Sequence, residues 1–191
     1  LVLQSLIMAW TIRLATEGDL RGIAELIPLS VRALQANHYS TPQMEAALGP
    51  VFGVDVQLIA DGTYFVAVAD GEVVGCGGWS KRRSTFGSSL GRGPEPEIDP
   101  GTEAARIRAF FVHPAWARRG IGRAILGECE RALQAAGFRR AEIAATLTGE
   151  ALYRAAGYEV TGRFDIALSN GLALPCVRLA KEFGEFSPVV V

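Results

Sequence analysis

The sequence predicts a single α+β domain built on a mixed, largely antiparallel sheet. Three observations predict it. The 191 residues suffice for one sizeable core, and no repeat, low-complexity tract or linker divides them. The apolar segments switch between strand and helix periods in the order βααβββαβαββ. Two pairs of consecutive strands meet at Asp70-Gly71 and Asn170-Gly171, short turn signals of antiparallel hairpins.

The elements follow in chain order. Thr11–Leu14 reads as a short strand. Thr16, three residues before Asp19, opens a helix with a variant of the capping box. Its apolar stripe is Ile23, Leu26 and Ile27, continuing through Val31 and Leu34 to about Ala36. Pro28 is expected to kink this helix or to split it. A second helix starts at Ser40-Thr41-Pro42, carries Met44, Ala47 and Leu48, and stops at Gly49-Pro50. Residues 63–69 and 73–79, rich in β-branched and aromatic side chains, form the first hairpin. The stretch 80–102 reads as one long loop, a length usually tied to function or mobility. Residues 105–112 are the next strand. A strong helix over 120–136 carries Ile121, Ile125, Leu126, Cys129 and Leu133 on one side and ends at Gly137. A strand at 140–146, a short helix at 149–156 and the hairpin strands 158–168 and 172–179 complete the order.

Composition narrows the function. Hydrophobic residues make up 49% and charged residues 20%, with net charge −1, ordinary for a globular protein. A general nucleic-acid or membrane binder needs a broad positive surface, and none is implied. Cys76, Cys129 and Cys176 are odd in number and show no paired spacing. Reduced thiols in a cytoplasmic protein are expected, with no disulfide framework and no metal site. No apolar run is long enough to span a bilayer. Met8 reads as the natural start, so residues 1–7 read as a non-native or disordered leader and 8–191 as the domain. The apolar tail Phe186–Val191 and exposed strand edges are compatible with a homodimer.

The chemistry concentrates in VHPAWARRGIGRAIL, residues 112–126. A strand ends at Val112, and Pro114 cannot continue its ladder. Gly120 and Gly122 let the backbone turn tightly and approach a ligand. The first amides of the following helix lack internal partners and carry the positive end of its dipole. Strand, glycine turn and helix start therefore form a pyrophosphate cradle. Arg118, Arg119 and Arg123 surround it with charge, and guanidinium binds phosphate in bidentate fashion. The dinucleotide-binding fingerprint is excluded, because Ile125 stands where its third glycine or alanine belongs. The Gly-Lys-Ser/Thr of a P-loop is absent.

This segment resembles motif A of the GNAT N-acetyltransferases, a strand ending V-x-P followed by R/Q-x-x-G-x-G/A at a helix start. GCGGWSKRR (75–83) is similar to their third strand and GEALYRAAGYEV (149–160) to their motif B. The resemblance covers about residues 11–180. It departs at Ala117, which stands in place of the first Arg or Gln, with Arg118 and Arg119 shifted by one and two positions. The resemblance implies a GNAT-like fold with helices on both faces of the sheet. It also implies acetyl-CoA as co-substrate, with its pyrophosphate on the amides of Arg119, Gly120, Ile121, Gly122, Arg123 and Ala124. The pantetheine arm would bond the backbone at Phe111 and Val112, between strands 105–112 and 140–146 splayed apart. A primary amine, of a small molecule or a protein, would attack the thioester directly with no acyl-enzyme. Amides near Phe111 would stabilise the oxyanion, and Tyr153, at the family's tyrosine position, would act as general acid.

Other residues carry weaker signals. Strand 105–112 lacks the carboxylate many such enzymes use as base, and bears Arg106 and Arg108 on one face. These arginines are structural or meet an anionic acceptor, and Lys81–Arg83 raise the same alternative. Glu103, just before the strand, is a candidate base acting through a water, against the alternative of an exposed loop carboxylate. Trp79 is a candidate for the acceptor site, against core packing. Tyr158 reads as core, and His38 and His113 as surface or capping residues. Two other functions stay open: a sensor that binds CoA or acyl-CoA without turnover, and a nucleotide-binding protein.

Overall fold

The computed structural model describes residues 10–84 and 95–184. Its strands are β1 (Thr11–Leu14), β2 (Tyr64–Ala69), β3 (Glu72–Ser80), β4 (Ala105–Val112), β5 (Arg140–Thr146), β6 (Glu159–Ala167) and β7 (Ala173–Glu182). Its helices are α1 (Leu20–Leu34), α2 (Thr41–Ala47), α3 (Val56–Ala60), α4 (Ile121–Ala135) and α5 (Glu150–Ala155). Single 3-10 turns occupy Glu17–Asp19 and Pro114–Trp116. The leader 1–7 and the tail Phe186–Val191 lie outside the described residues.

The strands form one sheet in the order β1-β2-β3-β4-β5-β7-β6. Every adjacent pair is antiparallel except β4 with β5. The expected hairpins are present, and Asp70 and Gly71 both take positive φ, as a tight two-residue turn requires. One face of the sheet packs against α1, α2 and α3 through Ile23, Leu26, Val31, Met44, Leu58, Tyr64 and Phe111. The other packs against α4 and α5 through Ile121, Ile125, Leu133, Ile143, Tyr153 and Leu179. The fold is the expected α+β domain with helices on both faces.

The cap at Thr16 forms as read, and the helix start read at Ser40-Thr41-Pro42 proves to carry a capping box as well. Asp19 accepts from the Thr16 amide at 2.8 Å, and Ser40 exchanges bonds with Gln43. Two expectations change. Helix α1 runs unbroken through Pro28. Its buried stripe, Ile23, Leu26, Ile27 and Val31, holds both halves against the sheet and outweighs the single backbone bond that proline removes. Helix α3 is an addition. Five residues are too few for a helical period to stand out, and its one local signal is the cap: Leu58 N–H donates to Asp55 Oδ1 at 3.4 Å.

Two ion pairs fix α3. Beyond its C-terminus, Asp61 accepts a two-pronged bond from Arg82, at 2.8 and 2.7 Å. At its N-terminus, Asp55 lies 2.7 Å from Arg108 of β4, with both side chains almost fully buried. Arg108 also donates to the Ser84 carbonyl at 2.7 Å. The pair Arg82–Glu97 closes the base of the long loop, where the Ile98 N–H donates to the Lys81 carbonyl at 2.8 Å.

Helix α4 lies unusually close to the sheet over β3. A Cβ built on Gly75 would sit 2.6 Å from Ile121 Cγ2, below any normal contact. Gly75→Ala should therefore lower stability by about 1–3 kcal/mol through overpacking, read as a lower urea midpoint at unchanged slope. Asp55→Ala should cost about 3–5 kcal/mol by leaving a buried guanidinium without its counter-charge. The double variant Asp55→Ala/Arg108→Met should cost less than Asp55→Ala alone, in the same measurement.

Candidate functional site

The site begins where two neighbouring strands stop pairing. β4 and β5 form a parallel ladder only over Ala105–Ile107 with Ala141–Ile143. β5 stays on β7 to the pair Thr146–Cys176, and β4 stays on β3 to the pair Val112–Gly75. A bulge lies in β4 just past the last parallel pair. The register against β3 slips between Cys76 and Gly78, and Ala109 takes φ +59°. A bulge strengthens twist and bends its strand, so β4 leaves β5 there and a cleft opens.

The register decides which groups face the cleft. His113 N–H donates to the Val74 carbonyl at 2.9 Å, on the β3 side. Peptide groups alternate along a strand, so the Val112 N–H points away from β3, toward the cleft. It donates to Ser30 Oγ of α1 at 3.2 Å. Phe111, one residue earlier, turns its backbone to Cys76 of β3, and its buried ring meets Phe52 edge-on at 6.2 Å. Sequence reading put the pantetheine contacts on both residues; the alternation directs only Val112 into the cleft.

The cradle follows at once. His113 caps the Pro114–Trp116 turn, accepting from the Ala115 amide at 3.2 Å. Arg118 takes φ +63° and Gly120 φ +85°. The second conformation is natural for glycine, while the first strains an arginine, a cost of about 1–3 kcal/mol that tends to collect at functional turns. Helix α4 then starts at Ile121. Ala124 N–H is bonded to the Gly120 carbonyl at 2.9 Å. The amides of Ile121, Gly122 and Arg123 come before that bond and have no carbonyl within the helix. Arg118, Arg119 and Arg123 are all exposed. Arg119 lies over the Trp116 ring, 5.0 Å from its centroid.

The cradle, the end of β4 and α5 converge. A Cβ on Gly122 would lie 3.3 Å from Leu152 of α5 and 3.9 Å from Val112. Tyr153, next to Leu152, is buried. Its ring meets Phe110 of β4 edge-on at 5.9 Å and Tyr158 at the same distance. Burial pushes its hydroxyl well above the ordinary phenol range, so it stays protonated at neutral pH. Among the described residues no hydrogen bond engages that hydroxyl.

Other candidates lie elsewhere. Glu103 pairs with Arg83 at 3.4 Å. It precedes the paired end of β4, roughly 25–30 Å along the strand from Val112. Trp79 is core, edge-on to Phe138 at 5.8 Å. Arg106 pairs with Glu142 of β5, and Arg108 with Asp55. Tyr158 is core, with Lys181 over its ring.

Sequence reading missed two hydroxyls that brace the cleft. Ser30 lies among the buried apolar residues of α1, a polar residue on an apolar stripe and thus a visible signal. Tyr39, in the α1–α2 connection, accepts from Leu147 N–H at 2.8 Å and donates to the Pro175 carbonyl at 2.6 Å. It bridges the ends of β5 and β7, and nothing local in the sequence announces it. Gln43 donates to the Ala173 carbonyl and Asn170 to that of Pro42, at 2.6 and 2.9 Å, tying the start of α2 to the last hairpin.

All three cysteines are free and buried. Among the described residues no helix is long and apolar enough to cross a membrane, and no group of three His, Cys, Asp or Glu could hold a metal ion.

Solved structures share this architecture. A GCN5-related N-acetyltransferase from Rhodopseudomonas palustris superposes with TM-score 0.68 at 20% identity, over 91% of this chain and 95% of that one. The PaiA N-acetyltransferase from Thermoplasma acidophilum, in complex with coenzyme A, gives 0.64 at 16%, over 92% and 100%. A phosphinothricin acetyltransferase from Sinorhizobium meliloti, in complex with acetyl-CoA, gives 0.62 at 23%, over 93% and 90%. No curated protein matches in sequence. The acetyltransferase (GNAT) domain model matches residues 60–160, a span that runs from β2 through the cradle to α5 and exceeds half of the chain. The chain therefore belongs to the GNAT acetyltransferase family.

Proposed function

We propose that this acetyltransferase binds acetyl-CoA in the cleft between β4 and β5 and passes the acetyl group to a primary amine in a ternary complex. The observation that carries the reading is the convergence of two sets of main-chain donors. The unpaired amides of Ile121, Gly122 and Arg123 receive the pyrophosphate, with the exposed Arg118 and Arg123 alongside. Arg119, engaged over Trp116, flanks them. The cleft edge of β4 at Val112 then receives the pantetheine arm and leads the thioester toward the bulge at Ala109. The Thermoplasma and Sinorhizobium enzymes, of similar fold, were solved in complex with coenzyme A and acetyl-CoA, which supports this choice of cofactor.

Direct attack by the amine is favoured over an acyl-enzyme on a cysteine. Burial pushes the Cys76 thiol up to about 12 and the Cys176 thiol up to about 11, and it raises Cys129 as well. The thiolate is the nucleophile, so thiols held protonated in the core are inert. Main-chain N–H groups on the cleft edge of β4 stabilise the oxyanion as the tetrahedral species forms. Tyr153, protonated as any phenol is at neutral pH, gives its proton or a hydrogen bond to the departing sulfur as the C–S bond breaks, while the attacking nitrogen loses a proton to solvent, from which Tyr153 is reprotonated. Glu103 is engaged by Arg83 beside the closed end of β4. The amine therefore arrives neutral by exchange with solvent. A small-molecule and a protein amine fit this scheme equally.

The sensor reading draws on one observation: both polar side chains of β4 before the bulge, Arg106 and Arg108, are consumed by ion pairs, leaving no carboxylate there. Release of free thiol from acetyl-CoA in the presence of an amine panel separates the two. The enzyme releases thiol, whereas a sensor binds CoA and releases none.

Gly122→Val should weaken CoA binding at least about tenfold in calorimetry, by forcing bulk between the cradle, Leu152 and Val112. Wild-type affinity in that variant would place the cofactor elsewhere. Tyr153→Phe should lower kcat by about 10- to 100-fold, with KM for acetyl-CoA nearly unchanged, a modest effect for an acid because thiolate leaves readily. An unaltered kcat would take Tyr153 out of the mechanism.

A further inference from the structure

The opening of the cleft strands main-chain groups, and two hydroxyls from the α1–α2 region take them up in different ways. Tyr39 uses both of its hydrogen-bonding directions, from Leu147 N–H and to the Pro175 carbonyl. It is a fixed bridge. Ser30 makes one bond, accepting from Val112 N–H at the longer distance of 3.2 Å. Its residue is only 5% exposed, and among the described residues its own proton has no acceptor. The same amide is the β4 donor that faces the cleft, where the proposed function runs the pantetheine arm.

We propose that Ser30 is a placeholder for acyl-CoA: it occupies the Val112 amide in the free enzyme and yields it to a carbonyl of the incoming pantetheine arm. This rests on the cofactor reading given above. One N–H makes one good hydrogen bond, so an arriving carbonyl must displace Ser30 Oγ. In the empty cleft the serine spares Val112 the cost of an unsatisfied buried donor. In the complex it is free to rotate about χ1 and donate back to the carbonyl of Leu26 or Ile27, one helical turn earlier, a bond serine readily makes inside helices. Cofactor entry is thus an exchange of hydrogen bonds, and the serine lowers affinity by roughly the net worth of the bond given up.

The sign of the effect makes the test decisive. CoA binding to wild type, Ser30→Ala and Val31→Ala is measured by calorimetry, and the melting temperature of each free protein is recorded. Ser30→Ala should melt lower than wild type yet bind CoA about 3- to 10-fold tighter, the range expected for one net hydrogen bond. Val31→Ala, a buried neighbour on α1 that does not bond Val112, should also melt lower but bind CoA as wild type does. Ser30→Cys, a smaller perturbation with a weak acceptor, should tighten binding in the same direction by less, and it serves if the alanine variant fails to fold. Unchanged or weaker CoA binding in the Ser30 variants, with wild-type binding intact, overturns the proposal and leaves the cofactor reading standing. Failure of the wild type itself to bind CoA overturns both.

Discussion

A parallel ladder that ends after three residue pairs governs this structure. In a sheet interior every N–H and C=O is normally taken by a neighbouring strand. Here β4 and β5 part beyond Ile107 and Ile143, each held by its other neighbour, and the groups on their facing edges lose their partners. The bulge at Ala109 supplies the bend. Helix α4, pressed onto β3 where Gly75 has no side chain, sets its open first turn at the end of the same strand. Without the divergence, the Val112 amide would be paired to a neighbouring strand instead of bonding Ser30 Oγ near the α4 start.

Charge is distributed to match. The chain has nearly balanced charge overall, yet two sets of arginines around the cleft are used differently. Arg82, Arg106 and Arg108 are neutralised by Asp61, Glu142 and Asp55 in partly or fully buried pairs. These fix α3, the base of the long loop and the strands around the cleft. Arg118, Arg119 and Arg123 stand exposed around the α4 start. Their positive charge adds to the helix dipole at the cradle.

Much of this was legible in the sequence because its causes are local. The glycine turn before α4, the capping box at Thr16, the helix start at Ser40-Thr41-Pro42, and the turns at Asp70-Gly71 and Asn170-Gly171 depend on a few adjacent residues, and all formed. The same holds for the cradle, whose unpaired amides follow from the existence of a helix start. What was illegible depends on distant partners. Val112, and not Phe111, faces the cleft because one extra residue at Ala109 changes the count along β4, and an alanine gives no sign of left-handed backbone. The pairing of Glu103 with Arg83 joins residues twenty positions apart, which no local pattern announces. Helix α3 is too short to show a period and is held by side chains from β3–β4 sequence, namely Arg82 and Arg108.

The stitching of the α1–α2 connection to the last hairpin bears on the order of assembly. Tyr39, Pro42 and Gln43 find their partners at Pro175, Asn170 and Ala173, between 128 and 136 residues later in the chain. During synthesis the N-terminal third emerges from the ribosome long before those partners exist. Its apolar stripes must wait, or be shielded, until those partners have been made. Such long-range closure slows folding and prolongs exposure of incomplete surfaces. The packing of α2 on the last hairpin is thus a late event in the assembly of these elements.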